Sequence, residues 1–393
     1  MMDDLVYLDH SATTPLAPEV LAAMMPYLTE HTGNPSSVHA VGRRARQASA
    51  DARERMAAAL GCQIEELVMT AGGTEADNLA IAGVARAGGS SGRHIVTSVI
   101  EHHAVLHACA ALTAEGFEVT YLPVDRDGLV SPDDLAEAIR ADTMLVTIML
   151  ANNEIGTVQA IAELAAIARE RGVLFHTDAV QGVGQLDINV DTLGVDMLSL
   201  SAHKFYGPRG VGLLYARRGV ELAPIIYGGG QELDRRSGTE NVAGTVGMAV
   251  ALATAQADRV SRAFDYTALR EQLIEGISER GGEVIVTGHR EKRLPSHASF
   301  CFQGINADSL VISLDLDGIE TSSGSACTSG AVEVSHVIDA LNLPAEYLAG
   351  SLRLTVGGAN TPEQMPRAID IICGHVERMR MLATRNRGKI AAN

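Results

Sequence analysis

The chain contains no tryptophan, and aromatic residues fill only 4% of its 393 positions. Aliphatic side chains and alanine must therefore build the core. Positive charge is also short, leaving a formal net charge of −17. Phosphate-rich partners need a basic footprint, so direct nucleic-acid binding is excluded as the main activity. Arg378, Arg380, Arg385, Arg387 and Lys389 form a basic C-terminal stretch, which reads as a solvated helix face and tail. No apolar run reaches the roughly 20 residues of a membrane span. The opening MMDDLVYLDH lacks the apolar segment of a signal peptide. Cys62, Cys109, Cys301, Cys327 and Cys373 are odd in number and scattered, with no CxxC. That pattern predicts reduced thiols in a cytoplasm, without a disulfide framework or a zinc site.

Lysine is scarcer still. Only Lys204, Lys292 and Lys389 occur, against 28 arginines. A chain that writes nearly all its cations as arginine still keeps a lysine inside LSLSAHKFYGPRGVG. Arginine cannot condense with a carbonyl, whereas a lysine amine that has lost its proton can.

What is present is a regular alternation. LVMT (67–70), HIVTSV (94–99), FEVTYLPV (117–124), MLVTIML (144–150), VLFHTDAV (173–180), DMLSLSA (196–202) and GVGLLYAR (210–217) read as short buried strands. Helical patterns lie between them, which predicts an α/β domain over 15–258 with a mainly parallel sheet. Residues 242–280 hold few breakers and predict one or two long bridging helices. EVIVTG (283–288), ASFCFQG (298–304) and SLRLTVGG (351–358) predict a smaller α+β domain from 1–14 and 259–393. Its Gly/Ser-rich loop spans about 321–334.

Several strand ends carry reactive side chains. In AGGTEADN (71–78), small residues let backbone N–H groups approach an anion, and Thr74 offers a hydroxyl or an N-cap. Asp178 in HTDAVQ follows a buried strand, where open α/β sheets bind ligands. It suits a protonated ring nitrogen or, alternatively, a helix cap. Ser201, His203 and Lys204 leave another strand together. Asn153 offers a hydrogen bond, and His102 could stack on a ring and move protons. His103 and His107 have metal-ligand spacing but no third ligand, so no metal is expected there. Cys327 sits among small residues in TSSGSACTSG, a more accessible setting than that of Cys373.

In order along the chain stand YLDHSATTP, GNPSSVHAVGRRAR, EHHAVL, ANNEIGTVQ, HTDAVQ, SAHKFYGPRGVG, GGGQE with RSGTEN, SSGSACTSG and SLRLTVG. Together these closely resemble the cysteine desulfurases of the class V aminotransferase, fold-type I group. The resemblance spans nearly the whole chain. It implies a pyridoxal 5'-phosphate enzyme with a seven-stranded sheet in the large domain and Cys327 on a loop of the small one. Lys204 would be the Schiff-base lysine, with Asp178 on the pyridine nitrogen and His102 over the ring. Gln181 would contact the ring oxygen, near Asn153. Gly73, Thr74, Ser201 and His203 would hold the phosphate. Thr239 is similar to a threonine that reaches the phosphate of a partner subunit, which implies a homodimer. Asn34 and Arg353 match the pair for the substrate carboxylate.

The implied reaction turns L-cysteine into L-alanine and leaves a persulfide on Cys327, to be passed to a sulfur-acceptor protein. The SSGSAC setting is similar to the subgroup serving iron–sulfur assembly, where Cys327 could also act as a transient cluster ligand. The acceptor stays open among an iron–sulfur scaffold, a tRNA-thiolation protein and a DNA-sulfur-modification system. A selenocysteine lyase or another class V transferase is the alternative, as is a sulfur-carrier subunit with degenerate catalysis. Three features depart from the family pattern: Leu233–Asp234–Arg235, the GANTPE stretch after Gly357, and the tail RNRGKIAAN. At the first of these, glycine is the residue that favours positive φ.

Overall fold

The computed structural model describes residues 5–87, 92–324 and 334–390. Cys327 lies outside the described residues. Twelve strands are described: β1 (Val6–Tyr7), β2 (Leu67–Thr70), β3 (His94–Ser98), β4 (Glu118–Leu122), β5 (Thr143–Thr147), β6 (Leu174–Asp178), β7 (Met197–Ser201), β8 (Gly212–Ala216), β9 (Val284–Val286), β10 (His297–Phe302), β11 (Ile319–Glu320) and β12 (Ser351–Thr355).

Seven of these form one sheet in the order β2-β8-β7-β6-β5-β3-β4. The neighbours from β7 to β4 pair in parallel, while β8 runs antiparallel to both β7 and β2. Strands β2, β3, β5, β7 and β8 are buried along their whole length. That is why they read as unbroken apolar runs: helices cover both faces and leave no face for alternating polar residues. Separate apolar clusters lie on the two sides of the sheet, one around Phe175, Leu198 and Leu252, the other around Leu79, Ile95 and Leu145.

The expected bridge is two helices, Val242–Ala257 and Arg259–Arg280. A second sheet, β12-β10-β9, is antiparallel. Its core joins Phe300, Phe302, Leu352 and Ile369 to Val6 and Leu8 from the start of the chain. Strand β1 pairs in parallel with β11, so the N-terminal segment is built into this second body.

One close approach sets the edge of the large sheet. A Cβ added to Gly212 would lie 2.5 Å from the carbonyl carbon of Gly72. Backbone cannot yield there as a side-chain tip can. Gly212→Ala is therefore expected to lower stability by about 1–3 kcal/mol, read as a lower urea midpoint at unchanged slope.

Candidate active site

The parallel strands all deliver residues to one end of the sheet. Beyond β6 and β7, and after β3 and β5, the chain turns into a cavity of about 330 Å³. It is lined by Gly73, Thr74, His102, Asn153, Asp178, Gln181, Ser201, His203, Lys204 and Arg353. Carboxyl ends of parallel strands form such a crevice because each crossover helix begins there with unpaired N–H groups.

The helix Gly73–Arg86 starts on Gly72, whose extended backbone supplies no side-chain cap. Thr74 therefore sits inside the first turn, and the N-cap alternative does not apply to it. A Cβ on Gly73 would meet the Val180 side chain at 2.8 Å. Glycine keeps this helix end open toward Ser201 and His203, so first-turn N–H groups can face an anion. His203 is pinned by a 3.1 Å contact between its Nδ1 and Thr13 Oγ1. Burial, then the charge of Lys204, lowers its pKa to about 4. With no anion beside it, this imidazole is neutral at pH 7.

Lys204 closes the short turn after β7 and points back across the cavity. Its Nζ donates to the carbonyls of Ser11 and Ala12 at 2.6 and 2.8 Å. Burial, reinforced by the Arg353 charge, lowers its pKa to about 8, against the pull of Asp178 and Asp9. Asp178 ends β6, with Oδ1 accepting from Val180 N–H at 2.9 Å. Burial raises its pKa, opposed chiefly by His102 and then by this N–H and Lys204. Asp178 thus closes a local turn while facing the cavity; the next helix begins only at Val190, so the helix-cap alternative does not apply. His102 N-caps the helix His103–Ala114 through Nδ1, and burial lowers its pKa. Gln181 Nε2 donates to the Ser11 carbonyl at 3.1 Å.

Arg353 lies on β12 and reaches the cavity from the second body. Its Nη2 donates to Asp9 Oδ1 at 2.7 Å and its Nη1 to the Asn153 carbonyl at 3.0 Å. Asn34 and Thr239 do not line this cavity. Both are exposed, and Asn34 Oδ1 accepts from Ser36 N–H. Near Thr239, φ is positive at Glu232, Leu233 and Asp234, where the departure from the family pattern falls. Each such residue costs roughly 1–2 kcal/mol. The Glu232 carboxylate offsets part of this by pairing with Arg53 and accepting from Met69 N–H at 3.0 Å. His103 and His107 stack on one helix face, 5.0 Å between ring centroids. No metal-binding group of three side chains occurs among the described residues.

Sequence reasoning passed over other members of the site. Asp77 lines the same cavity, and burial followed by the Asp178 charge raises its pKa. Its signal was its place four residues beyond Gly73. Asp9, Ser11 and Ala12 fell inside YLDHSATTP, which was noticed without a role for any of its residues.

The donor set fits pyridoxal phosphate. It pairs a buried amine of lowered pKa with a buried acid on the adjacent strand and an open helix N-terminus on the other side. A family model for aminotransferase class V matches residues 6–367, and the chain belongs to that family. It is a pyridoxal-phosphate enzyme. Among known proteins it is 50% identical over 378 residues to "Cysteine desulfurase IscS" of Dictyoglomus turgidum, covering 96% of each chain. A solved "NIFS-LIKE PROTEIN" superposes with a TM-score of 0.89 at 36% identity, over 95% of this chain and 99% of that one. Another, described as "SspA in complex with cysteine", gives 0.79 at 38% identity, over 89% and 98%.

Proposed function

We propose that this enzyme is a cysteine desulfurase whose net reaction is L-cysteine plus the Cys327 thiol to L-alanine plus a Cys327 persulfide. The observation that carries the reading is one cavity in which the Lys204 amine, the Asp178 carboxyl and the Arg353 guanidinium converge. The full-length likeness to a desulfurase of known name supports it.

Gly73, Thr74, Ser201 and His203 would hold the phosphate, and Asp178 the ring nitrogen. His102 would cover the ring, with Gln181 and Asn153 at its oxygen. Bound pyridoxal phosphate supplies an aldehyde that condenses with amines and a ring that delocalises negative charge. Lys204 would anchor the cofactor, then carry the substrate's α-proton once substrate displaces it. Arg353 would fix the substrate carboxylate; Asn34, outside this cavity, would join it only by movement or from a partner subunit. Cys327 would accept the sulfur, forming S–S as the substrate C–S bond breaks, and then yield it to an acceptor thiol such as that of an iron–sulfur scaffold.

Two separate apolar clusters support a division into 15–258 and 1–14 with 259–393. We also propose a homodimer in which Thr239 reaches the partner's phosphate. Leu21, Met25, Leu28, Val38, Val41, Tyr227 and Leu233 are exposed apolar side chains that a partner could cover. Cys62, Cys109, Cys301 and Cys373 are free, which supports a reducing cytoplasm.

The test is incubation of the yellow enzyme with L-cysteine, followed by alanine assay and thiol mapping. Cys327→Ser is expected to bind cofactor and L-cysteine normally while forming no persulfide. Wild-type sulfur release by that variant would sink the assignment.

A further inference from the structure

Resting on that reading of Arg353 as the carboxylate anchor, we propose that Asp9 is the positioning residue that presents Arg353 to the substrate. The Arg353 backbone is fixed on both sides. It faces Ser299 across the β10–β12 register and bridges Ser322 on the other side. Its side chain is 7% exposed, so the guanidinium turns only as its partners permit. Those partners are few: the Asp9 carboxylate on Nη2 and the Asn153 carbonyl on Nη1. Nε is buried and has no partner among the described residues. A buried N–H left unpaired is unfavourable, and a planar guanidinium with donors to spare takes a carboxylate through charge-assisted bonds. Arg353 also lines the cavity that holds Lys204.

Asp9 is itself held in place. Its backbone bridges Thr355, two residues along β12 from Arg353, and its carbonyl accepts from Tyr7 Oη at 3.0 Å. His10 N–H donates to the Thr355 carbonyl on the next step. The segment is zipped to the strand that carries the arginine, so the carboxylate meets the guanidinium without a flexible linker. Asp9 holds Nη2 and restrains the planar group against swinging away. A carboxylate in this place binds no substrate; it sets where the substrate's own carboxylate can bind.

The experiment titrates holoenzyme with L-alanine, followed by cofactor absorbance. This reads the carboxylate grip without sulfur chemistry. Asp9→Ala is expected to weaken L-alanine binding about tenfold or more, the effect of losing one charged hydrogen bond. With L-cysteine the same variant should raise KM by a similar factor while kcat stays within about threefold. Asp9→Asn keeps an acceptor oxygen and should recover most of the affinity. In an Arg353→Ala background, Asp9→Ala should add nothing further, since the two act as one unit. Unchanged affinity in Asp9→Ala would overturn the proposal. So would additive losses in the double variant, or loss of cofactor in both Asp9 variants, which would show a merely structural role. Failure of the wild type to make alanine from L-cysteine would instead defeat the desulfurase reading and leave the L-alanine titration to judge Asp9.

Discussion

Lys204→Ala is expected to abolish turnover, with alanine formation down by about four powers of ten. On the roles proposed for Lys204, two functions disappear with one side chain: the covalent anchor and the proton carrier. Among the described side chains no other lysine can stand in, because Lys292 does not line the cavity. Borohydride treatment of the wild type should fix the cofactor's mass on the peptide containing Lys204, and in the variant on none. Lowering the amine pKa to about 8 also sets a pH dependence. The neutral, reactive amine increases as pH rises toward 8 and levels off above it. Capture of added cofactor by apoenzyme should thus quicken about tenfold per pH unit below that point and flatten beyond it. A capture rate independent of pH between 6 and 8 would contradict this account.

Asp178→Asn should be the second most damaging change. The carboxylate is buried, and its charge is favoured by His102 and Lys204 around the cavity. A protonated ring nitrogen brought next to it would complete a buried ion pair. Removing one member of such a pair costs about 3–5 kcal/mol, which is two to four powers of ten in rate if that charge is needed at the barrier. Asparagine keeps the shape and can still accept from Val180 N–H, so the fold should survive. The expected result is near-normal melting of the apoenzyme, weaker cofactor retention, and alanine formation reduced at least a hundredfold. A variant with wild-type rates would remove Asp178 from the chemistry.

Much of this was legible in the amino-acid order, for a physical reason. Strands covered on both faces carry continuous apolar runs, so β2, β3, β5, β6, β7 and β8 stood out, and residues following all of these but the antiparallel β8 met in the cavity. Lys204 was marked by its rarity among arginines. The Asp9–Arg353 pair was beyond reach because its members are 344 residues apart. Nothing local in DHS or SLRLT signals that pairing. The partnership of Lys204 with the Ser11 and Ala12 carbonyls was hidden likewise, since backbone acceptors leave no trace in side-chain identity. The left-handed turn at Glu232, Leu233 and Asp234 could be suspected only from a missing glycine, and Arg53, its counter-ion, lies in a distant helix.

The seating of residues 8–12 against β12 and Lys204 has a consequence for biosynthesis. Those residues are synthesised well before Arg353 and Thr355, to which they attach. Until then the opening segment has no strand to lie on, and the lysine amine lacks the neighbours that strip its proton. The large sheet can assemble during synthesis, because its strands end at Ala216. The complete cavity cannot, because it needs Arg353 on β12.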